Sequence, residues 1–495
     1  MALNMNISRN KKKLWIGFIF ISIVFVFLRL KTLPHLLMWD EAWNILSLRA
    51  FLSNAKADPF YWGYFFHPPL YMFFAQLFAP FQAGFDVRLE VLSLSFSYAA
   101  LLTTYLLSAR LGGWRYAWLS GILLSLMPVS IGYDTWIKRD GLASALCYLS
   151  MLLLLRRQLF WCAVALSFSL LSKESAIFFI FAVIPMLFLL KEKTVIKKIV
   201  VMYATVLIVT SWWYIFFSTL TKTAVKIFIQ AAGHNAIWIK SPFYYFGKLL
   251  PDMGIAILFF FIIGICYLSY LAVRKKQPRW GVPLIIVLSI YIPSSFFIAG
   301  KSPWLCLSAR PALAMVAGGG ALLLIKMVKK LKLLVLVLFI SFLCAIYTGF
   351  TFSYPRYHMA TYPNGWPGAN SSKALAFYLN ENMQDDDRLM ITEFAYWKTS
   401  VCAVFYYYWK KHPVLIINGR QKAENVIKEI INNKISWFVI ADSPDQQFNF
   451  HPLVNNIKNS VLGKPYTVGW SYVWNTRALW LNDSKQADAE KKKQL

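Results

Sequence analysis

Five groups of residues carry most of the reactive polar chemistry in an otherwise apolar chain. Asp40 and Glu41 are adjacent carboxylates, followed by Ala42, Trp43, Ile45, Leu46 and Leu48, an amphipathic helical pattern suited to a membrane interface. The helix dipole at this end favours the ionised carboxylate, which suits it to accept a proton from a hydroxyl; the same place equally suits Asp40 as a helix N-cap. His67 precedes Pro68, Pro69, Leu70 and Tyr71, and the two prolines fix the backbone there. A turn of that kind aims His67 at a cavity or holds it as a structural hydrogen-bond donor. Tyr133, Asp134, Lys138, Arg139 and Asp140 share one loop, Lys173 and Glu174 another, and Lys301, Trp304 and Arg310 a third. Their cations suit an anionic head group, with mutual ion pairs or lipid phosphates as the bland alternative. A charge near a bilayer centre costs about 2.5 to 3.5 kcal/mol, so the groups that persist at one membrane face are informative.

The elements that position these groups are membrane spans. Hydrophobic residues make up 58% of the 495 positions and aromatic residues 17%, more than a water-soluble fold can bury. Leu14–Leu30 is the first span, and Arg29 and Lys31 close it where a signal peptide needs small residues and a cleavage site. Arg9 and Lys11–Lys13 place the N-terminus in the cytoplasm by the positive-inside rule. Pro69–Phe81 is too short to cross a hydrocarbon core of about 30 Å and reads as a re-entrant or interfacial helix. Further spans are expected over 87–109, 115–132, 141–155, 158–172, 175–190, 199–220, 252–273, 281–299, 308–326 and 333–352, about eleven in all. With that count the basic links after 109, 155, 190, 273 and 326 all fall in the cytoplasm. The net charge of +29 is thereby a topology signal, and nucleic acid is not an expected partner.

Residues 1–353 are therefore expected to form a transmembrane domain with an extracytoplasmic loop over 32–86. Composition shifts at Tyr354–Pro367, and 354–484 reads as an extracytoplasmic α/β domain followed by a disordered Lys-rich tail, 485–495. Its helices are expected at Ser371–Asn382 and Gln421–Asn433, its strands at Arg388–Thr392, Pro413–Ile417 and Trp437–Ala441. The six cysteines have no paired spacing, so neither a zinc site nor a disulfide framework is indicated; Cys306 and Cys402 are the one pair able to meet outside the membrane.

Taken in order, Asp40-Glu41, the His67-Pro68-Pro69-Leu70-Tyr71 run, Arg88-Leu89, Ala109-Arg110-Leu111-Gly112-Gly113, Arg139-Asp140 and Lys173 resemble the integral-membrane glycosyltransferases of fold class C. The nearer likeness is to the branch of dolichyl-phosphate-mannose protein mannosyltransferases and bacterial aminoarabinose transferases of lipid A. It is clear over roughly residues 14–190 and fainter around Lys301–Gly320. Glu174 departs from the pattern, where a small residue is usual after the lysine, and Asp134 competes with Asp140 for the second carboxylate role.

The resemblance implies a polytopic α-helical fold and transfer of a sugar from a polyprenyl-phosphate donor to an extracytoplasmic lipid, glycan or protein, with inversion at the anomeric carbon. Asp40, Glu41 and Asp140 would be the catalytic carboxylates, Asp40 as the base or an acceptor-positioning carboxylate supported by Glu41 and His67, and Asp140 near the acceptor or orienting Arg139. His67, Arg139, Lys173 and Lys301 would bind substrate, the cations taking the donor phosphate. No metal would be obligatory, although Asp40 and Glu41 could hold a divalent ion. The expected location is a plasma membrane, by default the bacterial inner membrane. The competing reading is a transporter or flippase of a lipid-linked or anionic substrate, against which stands the absence of inverted repeats.

Overall fold

In the computed structural model the described residues are 2–30, 39–56, 68–77, 85–189, 194–216, 241–296, 303–327, 367–393, 409, 414–418, 422–441, 457, 462, 465–468 and 471–479. The chain forms two compact units, Met1–His35 with Trp62–His358, and Leu36–Tyr61 with Met359–Leu495. The expected span 333–352, the composition shift at Tyr354–Pro367, Cys402 and the tail 485–495 lie outside or largely outside the described residues.

The first unit is helical. In chain order it contains α1 (Ala2–Leu30), α3 (Leu70–Gln76), α4 (Phe85–Gly112), α5 (Trp114–Leu126), α6 (Pro128–Tyr133), α7 (Asp140–Leu155), α8 (Leu159–Leu170), α9 (Ile177–Leu189), α10 (Val195–Phe216), α11 (Tyr244–Val273), α12 (Val282–Phe296) and α13 (Arg310–Met327); α2 (Trp39–Leu52) belongs to the second unit. Among the described residues six helical stretches are long and apolar enough to cross a membrane: Lys11–Leu30, Val87–Gly112, Val195–Ile215, Tyr244–Val273, Pro278–Phe296 and Cys306–Met327. Helices α7, α8 and the stretch Glu174–Leu189 are apolar but shorter. Large side chains such as Ile208 (73% exposed) and Ile255 (70% exposed) face outward, as lipid contact requires of an integral membrane protein.

Helices stand at every expected span from 14–30 to 308–326, with two local differences. The expected span 115–132 is broken into α5 and α6: Pro128 lacks the amide that would continue the ladder, and Met127 before it is extended (φ −64°, ψ 122°). Helix α11 starts eight residues before the expected 252, and its early part is separated from the rest by Pro251 and by Gly254 at φ 73°. Helix α3 is only seven residues long, in keeping with a segment too short to cross. Gly113 (φ 82°) lets the chain turn directly from α4 into α5.

The core of this unit runs along α13, where every residue from Arg310 to Leu322 is buried. Helix α13 packs on α5 and α11, α5 on α1 and α4, α4 on α7, α7 on α8, and α8 on α10. The α11–α13 contact is backbone to backbone: a Cβ on Gly264 would stand 1.9 Å from the Val316 carbonyl oxygen, and one on Gly320 2.0 Å from that of Phe260. Small residues permit this approach, as in membrane helix pairs generally.

The second unit carries α2, α14 (Pro367–Asn382), α15 (Ala423–Asn432) and a five-stranded sheet of order β2-β1-β3-β5-β4. Strands β1 (Leu389–Glu393), β2 (Val414–Asn418) and β3 (Trp437–Ala441) are parallel, with Leu389 opposite both Val414 and Trp437. The hairpin of β4 (Tyr466–Val468) and β5 (Ser471–Asn475) adds antiparallel to β3, with Phe438 opposite Trp474. Those two rings stack at 5.5 Å over a core that includes Leu375, Leu379, Val426 and Ile430. The expected helices and first three strands are present within a few residues. The hairpin was not among the expected strands; its signal is Tyr-Thr-Val and Ser-Tyr-Val-Trp on either side of a two-residue link.

Candidate functional site

At one end of the first unit five segments converge: the end of α1, the start of α3, the turn from α6 into α7, the turn after α8, and the start of α13. The α6–α7 turn is the centre of this arrangement, and every residue from Thr135 to Arg139 is buried. It follows Asp134, whose carboxylate is gripped from two sides. Oδ2 accepts from Arg29 Nη2 at 2.8 Å and Nε at 3.1 Å, and Oδ1 accepts from Arg310 Nη1 at 2.9 Å. Arg29 is fully buried, donates to the Ser125 carbonyl at 2.6 Å, and lies 3.9 Å over the Phe25 ring. Arg310 also donates from Nε to the Leu307 carbonyl at 2.9 Å. Ser97 on α4 donates to the Asp134 carbonyl at 3.2 Å. An isolated buried charge costs several kcal/mol, and these partners help to make three charges tolerable together.

Asp140 opens α7, where the helix dipole favours its charge, and Lys173 donates to its Oδ1 from the turn after α8. This pair is less enclosed, with the lysine side chain 14% and the carboxylate 8% exposed. The Pro-Pro-Leu-Tyr run is docked beside it: the Leu70 amide donates to the Leu171 carbonyl at 2.9 Å. Tyr71 bonds Ser93 through its hydroxyl at 2.8 Å, and the Arg139 guanidinium lies 6.0 Å from the Tyr71 ring. Lys138 is buried over the Trp136 ring at 4.8 Å. Tyr148 ties α7 to α13, donating to the Ser308 carbonyl at 3.0 Å and accepting from the Ala312 amide at 2.9 Å. That amide lies in the first turn of α13 and would otherwise lack a partner.

The structure thus pairs Asp140 with Lys173 and places the neighbouring Arg139 over Tyr71. Glu41 is fully buried on α2, and Asp40 lies in the first turn of that helix, which begins at Trp39. The expected amphipathic pattern of α2 is not what burial follows: Glu41, Asn44 and Ser47 are buried with Ala42, Ile45 and Leu48, while Trp43 and Leu46 are half-exposed. His67 and Lys301 lie outside the described residues. Glu174, which departs from the expected small residue, is exposed. Among the described residues no three His, Cys, Asp or Glu side chains gather as a metal site. Sequence reasoning passed over Arg29, which it used only to end the first span. The signal was present: an arginine between Leu28 and Leu30 at the membrane end of an apolar helix needs a buried carboxylate.

Among solved structures, the chain resembles ArnT from Cupriavidus metallidurans bound to undecaprenyl phosphate, with a TM-score of 0.65, 15% identity, and 94% of this chain and 98% of that one covered. The fold is that of the class C membrane glycosyltransferases. The apo state of the same ArnT matches at TM-score 0.62 and 15% identity over 92% of this chain and 96% of that one. The Archaeoglobus fulgidus oligosaccharyltransferase in its apo form, another protein with the class C fold, matches at TM-score 0.55 and 12% identity, covering 86% and 69%. No family model and no curated protein matches the sequence itself.

Proposed function

We propose that this protein transfers a sugar from a polyprenyl-phosphate donor to an acceptor on the outer face of a membrane. The observation that carries the reading is the Asp140–Lys173 pair with Arg139 beside it, set in the fold of an ArnT whose structure holds undecaprenyl phosphate. An apolar bundle ending in exchangeable cations suits a ligand with a long hydrocarbon tail and an anionic head. Lys173 exchanges its carboxylate partner for a donor phosphate oxygen, and Arg139 supplies a second, forked donor.

The acceptor nucleophile attacks the anomeric carbon opposite the phosphate. As that bond forms, the carbon–oxygen bond to the phosphate breaks, and its electron pair leaves with polyprenyl phosphate. The acceptor proton passes to Asp40, assigned on the sequence resemblance, with Glu41 and His67 in support and Lys301 as a further phosphate ligand. Inversion follows from a single displacement. Cations stabilise the leaving phosphate here, the task a metal performs in other transferases, so no metal is obligatory. The acceptor is an extracytoplasmic lipid, glycan or protein. The expected setting is a bacterial inner membrane with the N-terminus in the cytoplasm and the C-terminal domain outside.

The test is turnover of radiolabelled polyprenyl-phosphate sugars by the purified protein with cell-envelope acceptors, with and without a chelator. Wild type should release free polyprenyl phosphate, and Asp40→Asn should bind donor without releasing it. Binding without release by both proteins, with donor moved between leaflets of a vesicle, would replace transfer by transport.

A further inference from the structure

We propose that Asp134 is a positioning residue, the anchor of a strap that presents Arg139 and Asp140 to the donor phosphate. This rests on the reading of the site as a polyprenyl-phosphate glycosyltransferase. Asp134 and Asp140 bracket the buried Thr135–Arg139 turn. At one end of the turn, Arg29 of α1, Arg310 of α13 and Ser97 of α4 fix Asp134 from three helices. At the other end, among the described residues, a single lysine meets Asp140. Inside the turn, Trp136 N–H donates to the Tyr133 carbonyl at 3.2 Å and Lys138 N–H to that of Trp136 at 2.6 Å. The hydrogen bonds that join Asp134 to α1, α4 and α13 tie the start of the turn to three helices.

The geometry also separates the two aspartates that compete for one role in the sequence. Both Asp134 oxygens are engaged by guanidinium groups that are themselves held on backbone carbonyls. Asp140 keeps one lysine with partial solvent access. Asp134 acts on the reaction through Asp140 and Arg139.

The experiment is a double-mutant cycle on the full-length protein with Asp134→Asn, Asp140→Asn and both together, read as kcat/KM for donor. Amide exchange over residues 135–140 is measured in parallel. Asp134→Asn should lose about tenfold or more in kcat/KM, the double variant should be no worse than Asp140→Asn alone, and the turn should exchange faster than in wild type. A residue with only a bulk structural role would give losses that multiply and exchange that quickens throughout the bundle, and either result overturns the proposal. If Asp134→Asn does not fold, Asp134→Asn with Arg310→Gln keeps the net charge of the cluster and removes the strap, and the same readings apply. If wild type itself turns over no donor, the transferase reading fails. The strap is then judged by exchange alone: faster exchange confined to the turn upholds it, and unchanged exchange removes it.

Discussion

Among the described residues Asp134 is held by two arginines from α1 and α13, whereas Asp140, at the other end of the same buried turn, is held by one lysine from the turn after α8. Both carboxylates are well enclosed, so burial alone does not distinguish them; the number and kind of partners do. A guanidinium is a rigid, permanently charged fork, and two of them on one carboxylate leave few alternatives to the arrangement seen. A lysine is a compact charge on a flexible stem that can turn to another anion. The molecule therefore places a carboxylate gripped by two rigid forks at one end of the turn and one paired with a flexible lysine at the other.

The sharpest way to break this comparison is to remove each carboxylate and measure stability. Asp134→Ala leaves two buried guanidinium groups uncompensated and should destabilise the protein by about 3 to 5 kcal/mol, read as thermal unfolding in detergent. Asp140→Ala should cost about 1 kcal/mol, because the freed lysine reaches solvent or lipid phosphate. Equal losses would mean that the two pairs are both structural. Next in size is the effect on chemistry. Lys173→Met keeps the stem and removes the charge, and should lower turnover by about 10²-fold with little change in unfolding temperature, a size typical of losing one donor to a developing negative charge. Unchanged turnover would strike Lys173 from the donor site.

Much of the fold is legible in the sequence because apolar length and the placement of basic links determine it. The helices at 87–109, 141–155 and 199–220 required no tertiary knowledge. The break at Met127 was readable from Pro128, yet the apolar run through it outweighs the proline in a window average. Arg139, Asp140 and Lys173 stood out in the sequence as charges at membrane ends; the structure pairs Asp140 with Lys173 and sets Arg139 over the Tyr71 ring. What the sequence could not decide was which aspartate the arginines engage. That depends on Arg29 and Arg310, which lie far from Asp134 along the chain and reach it only through helix packing.

That packing supplies the third test. Arg310 is the first residue of α13, and the height of α13 against α11 depends on Gly264 and Gly320. Gly320→Ala places a methyl 2.0 Å from a backbone oxygen that has no rotamer with which to escape. The helices must separate, at a cost of about 1 to 3 kcal/mol, and Arg310 must move relative to Asp134. The variant should therefore lower both unfolding temperature and turnover, whereas Gly113→Ala, at a site with nothing within 4 Å, should act only through its positive φ and leave turnover near wild type. Loss of stability in Gly320→Ala with full turnover would separate the frame from the reaction.

The smallest effect belongs to a third carboxylate, in the second unit. Asp387 accepts from Arg477 Nε at 2.8 Å, from the Gln384 amide at 2.9 Å and from Trp437 Nε1 at 3.1 Å, and Arg477 remains 28% exposed. Burial pushes the Asp387 carboxyl upward, but hydrogen bonds from Arg477, Gln384, Ser436 and Trp437 together hold it below the usual carboxylate range. A carboxyl depressed by folding adds stability that is fully present above its unfolded value of about 3.9 and is lost as pH falls through its lower folded value. The contribution should be about 1 kcal/mol, since one partner is solvated. Hydrogen exchange of β3 and β5 in the full-length protein, corrected for the intrinsic pH dependence, should show protection falling on acidification from about pH 6 to below about pH 4. Asp387→Asn should flatten that fall while leaving the Asp134 cluster, two guanidinium groups on one enclosed carboxylate, to respond as in wild type. An equal fall in the variant would assign the acid sensitivity to other carboxylates of this unit.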